Sequence, residues 1–413
     1  MRRSLDPLRS PVLHLRAGFV LPVSGPPIPD GAVRVCRGVI MAVAPASRLV
    51  PQPGDEVLSF PDGILLPGMV NAHCHLELGD RAGRVPYPGT LPGWLRALTA
   101  LPPADAAQVA HNVRAGARTL LAGGATCVGD ITTTGFARAP LRRTGLRAVS
   151  FRELLGFTPE RVAAARAAAQ EWLTETTAGV TNGISPHAPY STAAALFQEA
   201  ARLALASGVP FTTHLSESLD EAEFVARGEG EFLELLRARG IPPEVWQPRG
   251  SSPIRYLADL GVLEVPGAAA HVNYLLPGDL ELLAAGKLVP VYCPRSHAFF
   301  RHPPHPAGEM LRAGIPVALG TDSLASNHGL DMLAEARLAW QSVAGTGAAD
   351  WVRAATLNGA RALGQDDLCG TLEPGKRADL IVVRPGGHAP DPYAAVLSPG
   401  STVQFTLVDG RVP

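Results

Sequence analysis

The sequence predicts an α/β fold, a (β/α)8 TIM barrel with a small β-sandwich formed by the N- and C-terminal flanks. Three observations lead there. A short apolar run ending in a polar cluster recurs eight times from about residue 64, alanine- and leucine-rich stretches separate most of the repeats, and the histidines and acids sit where the runs end. A barrel of this kind takes about 250 residues, so a chain of 413 residues holds one with an appendage.

The eight runs are "ILLPGMVNAHCH", "GATCVGDI", "LRAVSFREL", "NGISPHAPYS", "VPFTTHLSES", "AAAHVNYL", "LVPVYCPRSH" and "IPVALGTDSLAS". Strands covered by helices on one side and packed into a barrel on the other are apolar throughout, as these are. Between them, Thr158-Pro159-Glu160 supplies an N-cap, a first-turn proline and an acidic first turn, and that helix is expected to stop at Gly179. Ser191 and Gly208 bracket the next helix in the same way. The barrel is assigned to residues 64–366. All eight strand ends open on one mouth in such a fold, which would gather the polar clusters into one site.

The flanks differ. Residues 1–63 and 367–413 hold short alternating runs broken by Pro and Gly, such as "AVRVCRGVIMAVAP" and "STVQFTLVDGRVP". Neither flank is long enough for a core of its own, so the two are expected to pair as antiparallel strands of one small β-sandwich.

Composition narrows the function. Hydrophobic residues make up 46% and charged residues 18%, and the formal net charge is −1, so no overall field recruits nucleic acid or an anionic membrane. The expected partner is a small-molecule substrate, with a homodimer as the assembly to test. Five scattered cysteines without a CxxC argue against a disulfide framework. The basic start "MRRSLDPLRSPVLHL" lacks a following apolar segment, and no apolar stretch approaches membrane-spanning length. A cytoplasmic protein is expected.

Four residues have the character of metal ligands: His73 and His75 after the first strand, His214 after the fifth and Asp322 after the eighth. Alternate residues of an extended strand project to one side, so His73 and His75 can grip one ion while Cys74 points away. Three imidazoles and a carboxylate suit one divalent ion, Zn2+ or Fe2+, with a position left for water. Taken alone, His214 would serve equally well as a core or substrate-contacting residue. Glu217 lies just beyond its strand, where a carboxylate can move a proton; the competing role is a helix-start acid. His271 can hydrogen-bond the reacting water or leaving group, or be a satisfied core histidine. Binuclear hydrolases on this fold carry a carbamylated lysine after strand 4, where this chain has "SPHAPY"; the only lysines are Lys287 and Lys376, so one metal is expected.

The motifs "LLPGMVNAHCHLELG", "ISPHAPYS", "HLSE", "HVNYL", "CPRSH", "LGTDS", "ATLNGARALG" and "GTLEPGKRADLIVV", in this order, resemble the amidohydrolase superfamily. Within it the chain is similar to the cytosine-deaminase-like, chlorohydrolase-like and aminopurine-nucleoside deaminase branch. The resemblance covers nearly the whole chain. It implies that His73, His75, His214 and Asp322 hold the metal, Glu217 shuttles the proton with help from His271 and Asp322, and His187 contacts the substrate. It implies a hydrolytic deamination in which hydroxide attacks an amidine carbon and ammonia leaves.

The segment "HCHLELG" departs from the His-x-His-x-x-Met form of methylthioadenosine and adenosylhomocysteine deaminases. It resembles the His-x-His-Leu-Glu form of the aminodeoxyfutalosine deaminases of menaquinone biosynthesis, which makes Glu77 a candidate substrate contact. Such a substrate carries an adenine and a benzoate and asks for an aromatic wall and a cation. Candidates are Phe299, Phe300, Arg295 and Arg301 on the strand-7 loop, with Arg152 and Glu153 at the tip of strand 3; the phenylalanines could equally pack the loop. The alternatives are an adenosylhomocysteine, methylthioadenosine or guanine deaminase, a cyclic amide hydrolase on the same centre, or a non-catalytic assembly protein that has lost its metal.

Overall fold

The computed structural model describes residues 12–387, 389 and 391–413, so the basic start, residues 1–11, lies outside the described residues. Four strands come first: β1 (Leu13–Val20), β2 (Ile28–Cys36), β3 (Val39–Pro45) and β4 (Glu56–Pro67). The barrel strands follow: β5 (Met69–Cys74), β6 (Ala125–Thr132), β7 (Arg147–Leu154), β8 (Val180–Pro186), β9 (Phe211–Leu215), β10 (Gly267–His271), β11 (Leu288–Tyr292) and β12 (Ala318–Leu319). The chain ends with β13 (Leu380–Arg384) and β14 (Thr402–Leu407).

β5 to β12 form one parallel sheet in sequence order, the layout of a (β/α)8 barrel. The closing seam is short. Cys74 bridges Asp322, and the N–H groups of Thr321 and Asp322 both donate to the His73 carbonyl at 3.1 Å. The seam therefore runs through the candidate ligands themselves. Asn71 reinforces it: its Nδ2 donates to Thr321 Oγ1 at 2.8 Å and its Oδ1 accepts from the Thr321 N–H at 3.1 Å.

The flanks join in one six-stranded sheet, ordered β14-β13-β4-β1-β2-β3, with its own core around Leu15, Val33, Ile40, Leu65 and Val382. All its pairings are antiparallel except β1 with β4, which lie parallel because β4 returns past the β1-β2-β3 meander. The first apolar run of the sequence is divided between the two sheets: Ile64–Pro67 belong to β4, and Met69 starts the barrel. Gly68 makes that crossing, where a Cβ would meet Thr126 Oγ1 at 2.0 Å.

Two helix boundaries differ from expectation. Thr158 caps Pro159–Thr174 through the Arg161 N–H, but the helix ends five residues before Gly179, at an extended Glu175. The helix Ala194–Ser207 stops at a left-handed Gly208 as expected, yet its N-cap is Ala193, because the Ser191 hydroxyl is engaged by the His187 ring at 2.5 Å. Among the described residues no helix is long and apolar enough to cross a membrane, and all five cysteines are free thiols.

Candidate active site and metal centre

The site is built where β5, β9, β10 and β12 end. His73 and His75 sit edge to face, with ring centroids 5.0 Å apart, and the nearest ligand atoms of His73, His75 and His214 lie within 4.8 Å of one another. His75 Nε2 is 3.3 Å from His214 Nε2, while Asp322 Oδ1 is 3.6 Å from His73 Nε2 and 3.9 Å from His75 Nε2. Four donor atoms thus converge on one point. Both ring nitrogens of His73 are buried without a hydrogen-bond partner, and an unsatisfied buried polar group costs about 1–3 kcal/mol. A divalent cation on Nε2 relieves that cost, so the residues fit a metal.

Electrostatics agree. Burial lowers the His73 ring to about 4 and the His214 ring well below its ordinary value, which keeps both neutral, the form that binds metal. His214 Nδ1 lies 3.1 Å from the His187 carbonyl and donates to it, leaving its Nε2 lone pair for the centre. Burial alone would raise the Asp322 carboxyl, but the His73 ring and the other imidazoles hold it well below the usual carboxylate range. Its second oxygen accepts from Ser296 Oγ at 2.8 Å and Ser326 Oγ at 2.7 Å. Donors of Glu153, His187 and His214 also gather within 4.8 Å of one another.

Four non-glycine residues at these strand ends take left-handed backbone: Ser216 (φ 52°), His271 (75°), Val272 (49°) and Asp322 (56°). Each such residue costs of order 1–3 kcal/mol and persists only where neighbours enforce it. Here they do. Val272 N–H donates to Leu215 O at 2.9 Å and Asn273 N–H to Ser216 O at 3.0 Å. His305 Nε2 donates to the His271 carbonyl at 2.9 Å, its Nδ1 accepts from the Ala307 N–H at 3.1 Å, and its ring stacks on Tyr292 at 3.9 Å.

Glu217 is 5% exposed; its Oε1 lies 3.6 Å from His271 Nε2, and its Oε2 accepts from the Tyr190 hydroxyl at 3.3 Å. Burial raises its carboxyl pKa, opposed by His271. The helix-start role belongs instead to Glu221, which accepts the N–H groups of Ser216 (3.1 Å) and Glu217 (2.7 Å), and to the cap Ser218. Glu217 therefore presents its side chain to the cavity.

The cavity over this floor measures about 540 Å3 and is lined by His75, His187, His214, Glu217, His271 and Asp322, with Glu77 and Glu153. Glu77 is consumed by its own loop: its carboxylate accepts from Thr132 Oγ1, Thr134 Oγ1 and the Thr133 N–H, each at 2.8 Å. Glu153 keeps Oε1 buried and without a hydrogen-bond partner in the cavity lining, 3.8 Å from His187 Nε2. The three predicted arginines do not line the cavity. Arg152 falls on the face of β7 opposite Glu153 and donates to the Thr133 carbonyl, Arg295 turns towards Glu335 at 4.0 Å, and Arg301 is exposed. Phe300 packs on Tyr87 and Trp94, with centroids 5.2 and 5.1 Å away, and Phe299 lies behind Tyr87, so both support the loop. The structure brings in residues the sequence did not single out: Tyr190, Ser296, Ser326, His305, Trp94 and Arg239. Tyr190 and Ser296 lie inside the quoted "SPHAPYS" and "CPRSH", but only the three-dimensional contact shows what they touch.

Residues 64–412 match the Amidohydrolase family. A 5-methylthioadenosine/S-adenosylhomocysteine deaminase of Moorella thermoacetica is 32% identical over 95% of this chain and 92% of its own. An adenosine deaminase from Xanthomonas campestris with bound zinc superposes with a TM-score of 0.80 at 28% identity, covering 97% of this chain and 92% of that one. Helicobacter pylori aminofutalosine deaminase, in complex with methylthio-coformycin, shares the fold with a TM-score of 0.83 at 23% identity, over 97% and 99% of the two chains. With its barrel, its converging histidines and this match over most of its length, the chain belongs to the amidohydrolase family and is a hydrolase acting on C–N bonds.

Proposed function

We propose that the protein is a hydrolytic deaminase of a 5′-substituted adenosine, and that its substrate is 6-aminodeoxyfutalosine, converted to the 6-oxo product and ammonia in menaquinone biosynthesis. The observation that carries the deaminase reading is the placement of buried Glu217 beside His271, over the convergence of His73, His75, His214 and Asp322. A single Zn2+ or Fe2+ held by those four residues would lower the pKa of its water towards ~7. No lysine lines the cavity among the described residues, in keeping with one ion.

Asp322 and His271 orient the attacking water and take its proton. Glu217, whose burial favours its protonated form, delivers a proton to the ring nitrogen next to the attacked carbon, so that addition does not build up anionic charge there. Tyr190 holds the far oxygen of Glu217 in place. His187 and the free oxygen of Glu153 lie one step outward, where a ribose hydroxyl would meet them. The substrate choice rests on the His-Leu-Glu sequence after the first metal histidine and on the long apolar cavity. A methylthioadenosine or adenosylhomocysteine deaminase is the second reading, favoured by the Moorella relative.

The test is ammonia release by metal-loaded protein with 6-aminodeoxyfutalosine, methylthioadenosine, adenosylhomocysteine, adenosine, guanine and cytosine. A kcat/KM of order 10⁴ M⁻¹s⁻¹ or more for the first, well above the rest, is expected. A preference for methylthioadenosine moves the substrate and keeps the mechanism, whereas ammonia from none of them overturns the deaminase reading.

A further inference from the structure

The outer half of the cavity has a chemistry of its own. Leu91, Trp94, Leu95 and Leu98 of the helix Leu91–Ala100 face Leu235 and Leu236 of the helix Glu231–Ala238 across it. Arg239 follows that second helix; it is exposed but, unlike Arg301, lines the cavity, and its Nη2 donates to Thr99 Oγ1 at 3.1 Å. Thr99 is itself fixed by donating to the Leu95 carbonyl at 2.7 Å.

Arg239 is conspicuous among its neighbours. Arg227 and Arg237 pair with Glu223 and Glu234, at 2.7 and 2.8 Å, one turn away. Arg81, the other arginine lining the cavity, lies 3.5 Å from Asp80 and donates to the Pro102 carbonyl at 2.5 Å. No carboxylate lies within ion-pairing distance of Arg239 among the described residues. Partial desolvation lowers its pKa first, the nearby cations Arg161 and Arg96 add to that, and Tyr190 opposes it. An anion arriving at the mouth would relieve that repulsion and gain a charge-assisted hydrogen bond.

We propose that this outer chamber binds an apolar, preferably aromatic, 5′ arm that ends in a carboxylate, and that Arg239 is the residue that meets the carboxylate. The proposal rests on the deaminase reading above and transfers to Arg239 the role that the sequence alone suggested for Arg295 or Arg301. It also sets an order among adenosine derivatives. An aryl carboxylate arm binds best, and a neutral methylthio or aryl ester arm less well.

The experiment measures kcat and KM for three 5′-derivatives of adenosine, an aryl carboxylate, its methyl ester and the methylthio compound. Wild type, Arg239→Gln, Arg239→Lys and the surface control Arg202→Gln are compared. Wild type and the control are expected to show a KM about tenfold lower for the carboxylate than for its ester, at similar kcat. Arg239→Gln removes that preference, bringing the KM of the carboxylate to that of its ester, while Arg239→Lys restores part of it. An undiminished preference in Arg239→Gln, or no preference in wild type while all three release ammonia, overturns the proposal and leaves the deaminase reading standing. Ammonia from none of the three overturns both.

Discussion

The floor of the cavity and its outer wall are made of different materials and held in different ways. The floor consists of imidazoles and carboxylates on strand ends, each fixed by a second residue: Asp322 by two serines, His271 by His305, His214 by the His187 carbonyl. The outer wall consists of leucines and a tryptophan on two helices that touch each other and carry Arg239 at their edge. A strained, over-determined floor is fitted to chemistry at one point, whereas an apolar wall binds whatever shape and hydrophobicity allow. Changes to the floor should therefore lower kcat, and changes to the wall should raise KM.

The largest effect is expected at Glu217. Replacing it with Gln keeps shape and metal ligands but removes the proton, and kcat should fall by about 10²–10⁴-fold. Metal content, measured by plasma mass spectrometry, should stay at one ion per chain. A Gln variant with near-normal kcat would remove Glu217 from the proton path.

Next come the groups behind the floor. Ser296→Ala and Ser326→Ala together leave Asp322 Oδ2 without its donors, and loss of such outer hydrogen bonds typically costs 10–100-fold in metal affinity or activity. Competition with a coloured chelator checks the affinity directly. Unchanged affinity and kcat in the double variant would mean that the barrel seam alone positions Asp322.

The same contrast explains what was legible in the sequence. The candidate ligands lie at ends of apolar runs, and the alternation of an extended strand places His73 and His75 on one side without further information. Glu217 and His271 were legible for the same reason. The wall was not, because its residues come from helices and loops whose approach depends on tertiary packing. "LPGWLRALTA" and "LLRARG" read as ordinary amphipathic segments, and nothing local shows that Arg239 turns to Thr99. The strand-7 arginines misled because proximity in sequence to "CPRSH" does not say which way a side chain points; Arg295 faces Glu335. The flanking strands were visible as a pattern, but the parallel pairing of β1 with β4 is set by the path of the chain between them.

A smaller effect is expected at the wall. Leu98→Ala removes part of a half-buried apolar contact; at about 0.8 kcal/mol per fully buried methylene, the partial loss amounts to about 1 kcal/mol. KM for the preferred substrate should rise about fivefold with kcat unchanged. A fall in kcat of tenfold or more would show that the wall also sets the position of the reacting ring, and would erase the division between the two regions.

The last expected effect concerns stability and its dependence on pH. Glu335 is fully buried, accepting from Asn327 Nδ2 at 2.8 Å and from the Arg295 N–H at 3.0 Å, and burial pushes its carboxyl up to about 8. In the unfolded chain the same group titrates near 4.3. The folded protein thus holds the proton more tightly, so the stabilisation is complete below a pH of about 4 and is lost as pH rises through about 8. Glu335→Gln cannot lose a proton, and its Tm should fall less steeply than that of wild type between pH 5 and pH 8. The leucines of the wall do not titrate, so Leu98→Ala should lower Tm by the same amount at every pH in that range. If Glu335→Gln instead keeps the wild-type slope, Glu335 is already ionised in the fold and is held by Arg295 as an ion pair rather than as a buried acid.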